Sequence, residues 1–265
     1  MKRGLFSMFA RLAEPPAPQT GAWQIRTEDG RDGVVLMEAG RVCWANHDKS
    51  DRLSDELERR YGISHTAIDD IVRTCRKTHQ PFGALLVEQG HLTQAQLTSA
   101  LGEHTCRSIL SLAGSGIRDC AWVPHQGAGY APEATISLTQ AVCRCVALAK
   151  GLGAEGLEAS LETMLSGEAA GMLIHLESRL PLAASIAPVT WTQLRGWLTW
   201  SLRVDDLCRL PSRGYLTGRG HGGGWVMWRA GTMIGVAVSA TDDAQRRLLL
   251  RVASTLASWD VEQPA

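Results

Sequence analysis

VTWTQLRGWLTWSLRVDDL, residues 189–207, decides the architecture of the C-terminal half. At 100° per residue, Trp191, Leu194, Leu198 and Leu202 fall on one stripe. Trp197, Trp200, Val204 and Leu207 fall on a second, roughly opposite, with Thr192, Thr199 and Arg203 in a gap between them. The spacing predicts one long helix with two apolar sides. One side can cover a sheet of its own domain. The other has no further partner within a small domain, and an unpartnered apolar face of that size marks an interface. Trp197, Trp200, Val204 and Leu207 are therefore the expected dimer or partner face, with burial under the N-terminal domain as the alternative.

The sequence on either side of this helix supplies its sheet. Upstream, a helix is expected over about 155–166, followed by two strands, MLIHLES and PLAASIA, that meet near Arg179. Downstream, two or three strands occupy 213–239, with WVMWRAG and MIGVAVSA the clearest, and a last helix covers about 242–259. The order is α-β-β-α-β-β-β-α, which fits one antiparallel sheet flanked by helices. GLGAEG (151–156) reads as a hinge before it. The chain thus divides into a tail and Pro-rich linker (1–21), a domain at 22–150 and a domain at 151–262, all of the α+β class.

In the N-terminal half, MKRGLFSMFARLAEPP reads as a frayed terminus, or as a short amphipathic helix that touches a membrane or a partner. After PPAPQTG (15–21), Asp29-Gly30, Asp32-Gly33 and Ala39-Gly40 punctuate short apolar runs. They predict a small sheet of two or three antiparallel strands. Residues 51–114 then turn helical and contain a repeat. A shift of 29 residues aligns Leu53 with Phe82, Leu57 with Leu86, Ile63 with Leu92, Ser64 with Thr93 and Ile68 with Leu97. Each copy is a helix, a Gly-containing turn and a Ser or Thr cap that opens a second helix, so two stacked copies share one core. CAWVPHQG (120–127) is a strand-like exit, and 135–149 is a further helix.

Composition bounds the function. The 265 residues carry 27 Lys+Arg against 27 Asp+Glu, and the balance holds in both halves, so no basic stripe is available to neutralise nucleic-acid phosphates. No apolar run approaches the ~18–20 residues of a membrane-spanning helix. Seven scattered Cys do not form a disulfide framework, and the compartment expected is the cytoplasm.

Three resemblances add to this reading. The strand–turn–strand GVVLMEAGRVCWA (33–45), the segment PFGALLVEQGHLTQAQLTSAL (81–101) and AWVPHQG (121–127) together resemble the PATAN family. That family comprises bacterial signalling modules that act by protein–protein contact alongside response regulators and motility proteins. The tandem repeat is similar to the MshEN motif of secretion-ATPase N-terminal domains, some of which bind cyclic di-GMP. Arg52, Leu53, Gly83, Leu86 and Gly90 match that motif, whereas Ser54 replaces a Gly, Glu58 an apolar residue and Pro81 the second copy's arginine. Arginine stacks on and hydrogen-bonds a guanine or phosphate, which Pro cannot do. The C-terminal half, with MLIHLESRLPLAASI (172–186) and VMWRAGTMIGVAVSATDDAQRRLLLRVASTL (226–256), resembles a roadblock (dynein light chain) domain. That resemblance implies homodimerisation through the central helix and adjoining strand, and regulation of a small GTPase.

Catalytic and metal chemistry have weak candidates. GRGHGGG (218–224) lacks the G-K-[ST] ending of a phosphate loop and precedes a strand, so it reads as a strand connection. Cys43/His47, Cys75/His79 and His104/Cys106 are spaced like ligand pairs, but nothing in the sequence joins two pairs into the four-ligand set zinc prefers. Cys143 and Cys145, two apart in helical sequence, diverge. Asp205-Asp206 diverge likewise, and Asp242-Asp243 after Thr241 read as a helix start. No catalytic residue, metal or cofactor is expected. The function expected is non-enzymatic signalling or scaffolding through protein contacts, with a second copy and a small GTPase or response regulator as partners. A cyclic di-GMP sensor is the alternative.

Overall fold

The structure is a computed structural model that describes residues 2–13, 19–126, 130, 135–185, 191–208, 210–220 and 223–258. It is α+β, with two antiparallel sheets and helices packed on them. Contacts divide the chain into two compact units, 1–138 and 139–265.

In the first unit, the N-terminus is not a frayed tail. Helix α1 (Lys2–Leu12) turns Leu5, Met8, Phe9 and Leu12 inward, and all four are buried. Their 3- and 4-residue spacing gives one apolar stripe, and each such burial stabilises by roughly 1.5–3 kcal/mol. A short sheet follows, formed by β1 (Gly21–Thr27), β2 (Asp32–Glu38) and β3 (Arg41–His47). The turns between these strands use Gly30 (φ 78°) and Ala39–Gly40 (φ 49° and 75°).

The repeat is built as the 29-residue shift predicts. It comprises α2 (Leu53–Tyr61), α3 (His65–Thr78), α4 (Phe82–Glu88) and α5 (Gln94–Ser115). The Ser64 hydroxyl accepts from the Ala67 N–H at 3.3 Å and the Thr93 hydroxyl from the Gln96 N–H at 3.2 Å, so both caps exist. Leu57, Leu86, Ile63, Leu92, Ile68 and Leu97 meet in one buried cluster. The 22-residue α5 continues beyond the repeat and lies against β3. It leads into β4 (Ile117–Pro124), which pairs with β1 and completes the order β3-β2-β1-β4. The strand-like exit read at 120–127 is therefore an edge strand of the same sheet.

The second unit starts earlier than the GLGAEG hinge suggests. Helix α6 (Leu138–Ala149) contributes Cys143, fully buried, to the cluster that also holds Met172, Ile174, Leu194 and Val236. A helix apolar on almost every side cannot serve as a linker-proximal end, and this one packs into the core that follows it. Then come α7 (Ala154–Leu165), β5 (Ala169–His175), β6 (Leu180–Ala184) and α8 (Trp191–Cys208). β7 (Arg213–Gly220), β8 (Gly223–Ala230), β9 (Met233–Ser239) and α9 (Asp242–Ser258) complete the chain. From α7 onward the order is the expected α-β-β-α-β-β-β-α. The sheet runs β6-β5-β9-β8-β7, so β7 is one edge and β6 the other. The Thr241 hydroxyl accepts from the Ala244 N–H at 3.2 Å and opens α9, the capping role expected beside Asp242 and Asp243.

Alternation along the strands separates the two faces of this sheet. Met172, Ile174, Met227, Ile234 and Val236 face the cluster that contains Leu194 of α8. Leu173, Trp228, Ala230 and Met233, of opposite parity, face α7 and α9. A bidentate pair, Arg144 Nε and Nη2 to the Glu158 carboxylate at 2.8 and 2.7 Å, ties α6 to α7 with both side chains largely buried.

Candidate protein interface

Helix α8 packs through one broad face rather than two opposed ones. Among its described side chains, the fully buried ones are Leu194, of the first stripe, and Ser201, which lies between the two stripes read from spacing. The stripes are the flanks of that seam: Leu198 and Leu202 on one side, Trp197, Trp200 and Val204 on the other, all half-buried against the same cluster. Ser201 escaped sequence reading because it is polar. Its hydroxyl donates to the Trp197 carbonyl at 2.6 Å and needs no partner in the sheet, so a small serine serves as a buried contact. The expectation that the second stripe has no partner within its own domain is corrected accordingly. Trp200 stands edge-on to Trp225 of β8, ring centroids 4.8 Å apart and planes at 76°. Trp225 in turn lies across Gly218 of β7, where a Cβ would run into its ring. Part of each flank residue remains open to solvent. The side chain of Leu207 lies outside the described residues.

Beside this flank runs the open edge of the sheet. β7 alternates exposed and half-buried positions, Tyr215 is 48% exposed, and no described strand pairs with its outer side. The opposite edge is different: every residue of β6 is buried. One edge is covered, and on the other no described strand pairs with β7, beside which Trp225 and Trp200 lie. The outward face of α8 adds a shallow groove of about 430 Å³ lined by Thr192, Arg195, Gly196, Thr199, Trp200 and Arg203.

The residues matched to the cyclic di-GMP motif have structural roles. Leu86 is fully buried and Leu53 half-buried in the repeat core. A Cβ on Gly83 would come within 2.9 Å of the Leu97 side chain, and Gly90 sits at φ 74° in the turn after α4. Arg52 is exposed at the start of α2, where its backbone N–H donates to the Asp55 carboxylate at 3.3 Å.

The paired Cys and His residues are dispersed. His79 ends α3 at φ 59° instead of sharing a helical face with Cys75. Cys43 and His47 are buried on β3. Burial pushes the Cys43 thiol up to about 11. Among the described residues, no group of three or more His, Cys, Asp or Glu side chains is placed to hold a metal.

What sequence reading missed is a buried polar seam between α5 and β3. The His47 Nδ1 lies 2.7 Å from the Ser111 hydroxyl, and its Nε2 is buried without a hydrogen bond. His104 stacks on Trp44, centroids 4.5 Å apart, and its Nε2 is likewise unpartnered. Loss of hydration holds both imidazoles below their ordinary value of 6.5. Glu56 is also buried with neither carboxylate oxygen bonded, and burial first, then the nearby Glu103, raises it. The 104-108-111 spacing on α5 is the signal in the sequence, since those positions share one helical side.

Among the described residues, no helix is long and apolar enough to cross a membrane. Compared with known proteins, the chain matches no family model and no curated protein.

Proposed function

We propose that this chain is a non-enzymatic signalling or scaffold protein that works by protein–protein contact and pairs with a second copy through α8 and β7. Two observations carry the reading: Trp197, Trp200 and Val204 of α8 are half-exposed, and on the outer side of β7, where Tyr215 is 48% exposed, no described strand pairs. Interfaces are enriched in Trp and Tyr at their anchors, and an open edge is a template for strand pairing. The order of elements from α7 to α9 supports the roadblock resemblance, and with it a small GTPase as a further partner. The PATAN-like first unit then engages a response regulator or a motility component.

Mixing chains carrying donor and acceptor dyes tests the pairing. Energy transfer should appear at micromolar concentration and vanish for Tyr215→Lys, which places a charge on the open edge without touching the core. Transfer that survives this substitution rules out β7 as part of the interface.

A further inference from the structure

The sheet face opposite α8 carries a second feature. Between α7 and α9 lies a groove of about 670 Å³. Its walls include Leu161 and Met164, and its floor is Leu173, Trp228, Ala230 and Met233. The floor is flat because Gly235 lies opposite Trp228 on β9, where any Cβ would collide with the indole. The volume falls in the ~300–1,000 Å³ range of small-molecule sites.

One wall holds a fixed cation. Arg251 donates from Nε to the Met164 carbonyl at 2.7 Å, and from Nη2 to the Leu165 carbonyl at 3.2 Å and the Glu168 carboxylate at 3.0 Å. These bonds hold the guanidinium against the end of α7 and leave Nη1 without a partner among the described residues. Glu168 does not cancel the local charge, because its other oxygen accepts from Arg247 at 2.7 Å. Two guanidiniums face one carboxylate, a net charge of +1 beside an apolar floor. Ser160 and Ser254 lie on the rim.

We infer that this groove binds a small amphipathic acid, an apolar chain or ring bearing one carboxylate, with the apolar part against half-buried Leu157, Met164 and Met233 and the carboxylate at Arg251. The apolar floor selects the body of the ligand. The preorganised guanidinium, with one nitrogen still free, selects its head, since charge-assisted bonds to carboxylate are the strong ones. A neutral alcohol of equal length gains only the first term, and a cationic amphiphile is repelled. The groove lies on the sheet face opposite α8, and neither the α8 tryptophans nor Tyr215 of β7 lines it.

Calorimetric titration of the full-length chain with dodecanoate, dodecanol and dodecyltrimethylammonium tests this, all below their micellar concentrations. Dodecanoate should bind saturably at one per chain, at least ~10-fold more tightly than dodecanol, with no saturable binding of the cation. Ser254→Trp adds a large side chain at an exposed rim position. It should abolish the dodecanoate signal while leaving the thermal unfolding curve unchanged. The absence of saturable dodecanoate binding, equal affinity for dodecanol, or unaltered binding to a folded Ser254→Trp variant would each overturn the inference.

Discussion

Replacing Trp200 separates the packing of α8 on its sheet from the pairing role proposed for it. Its ring is half-buried, so truncation to Ala removes less than the ~3–5 kcal/mol of a fully buried Trp, and about 2 kcal/mol of unfolding free energy is expected. Part of that is the edge-to-face contact with Trp225, which at 4.8 Å and 76° falls within the geometry that contributes ~0.5–1.5 kcal/mol beyond area. A double-mutant cycle isolates it: wild type, Trp200→Ala, Trp225→Leu and the double variant, each unfolded in urea and followed by far-UV circular dichroism. The cycle should give a coupling near 1 kcal/mol. The solvent-facing half of the same ring is the proposed anchor, so Trp200→Ala should also weaken self-association by more than ~2 kcal/mol, about 30-fold in Kd by sedimentation equilibrium. A coupling below ~0.3 kcal/mol would refute the Trp225 contact. Lost stability with unchanged Kd would refute the anchor while leaving the contact standing.

Three further outcomes follow from the interior. Unfolding free energy should be flat above about pH 6.5 and fall below it, because the unfolded chain takes up protons on His47 and His104 that the buried rings resist. Glu56 acts in the opposite sense at more acidic pH, since its raised folded-state value means that the native state takes up its proton first. Urea titrations of wild type and His47→Asn at pH 7.5 and 5.5 check this, with a smaller drop in the variant; equal drops in both would argue against His47. Leu86→Ala should cost about 3 kcal/mol through the cavity left in the repeat core, whereas Arg52→Ala on the exposed cap should stay within ~0.5 kcal/mol, both read from denaturant midpoints. Arg144→Met leaves the Glu158 carboxylate buried without its bidentate partner and should cost ~3–5 kcal/mol, much of it recovered in the Arg144→Met/Glu158→Leu double variant.

The repeat and the second sheet were legible in the sequence because their signals are periodic. Leu57/Leu86 and Ile68/Leu97 recur at one spacing, and Ser64 and Thr93 mark helix starts by a side-chain bond local to the chain. Tertiary choices were less legible. Apolar residues in the first twelve positions do not say whether a partner surface exists nearby, and α1 has one in its own unit. GLGAEG reads as a hinge by composition, yet Cys143 of the preceding helix belongs to the core that follows it. On α8, counting only apolar positions splits one face into two stripes, because the residue at its centre, Ser201, is hydrophilic by type and buried by geometry. The polar seam of His47, His104 and Ser111 was hidden for the same reason: burial of a polar side chain depends on which strand its helix meets.

Self-pairing through the edge beside α8 is the central claim, and the molar mass of the full-length chain in solution tests it most directly. Light scattering coupled to size exclusion at micromolar concentration should return twice the 28.7 kDa of one chain. It should return a single chain mass when Tyr215→Lys and Trp200→Ala are combined. A monomeric wild type under those conditions would contradict the account.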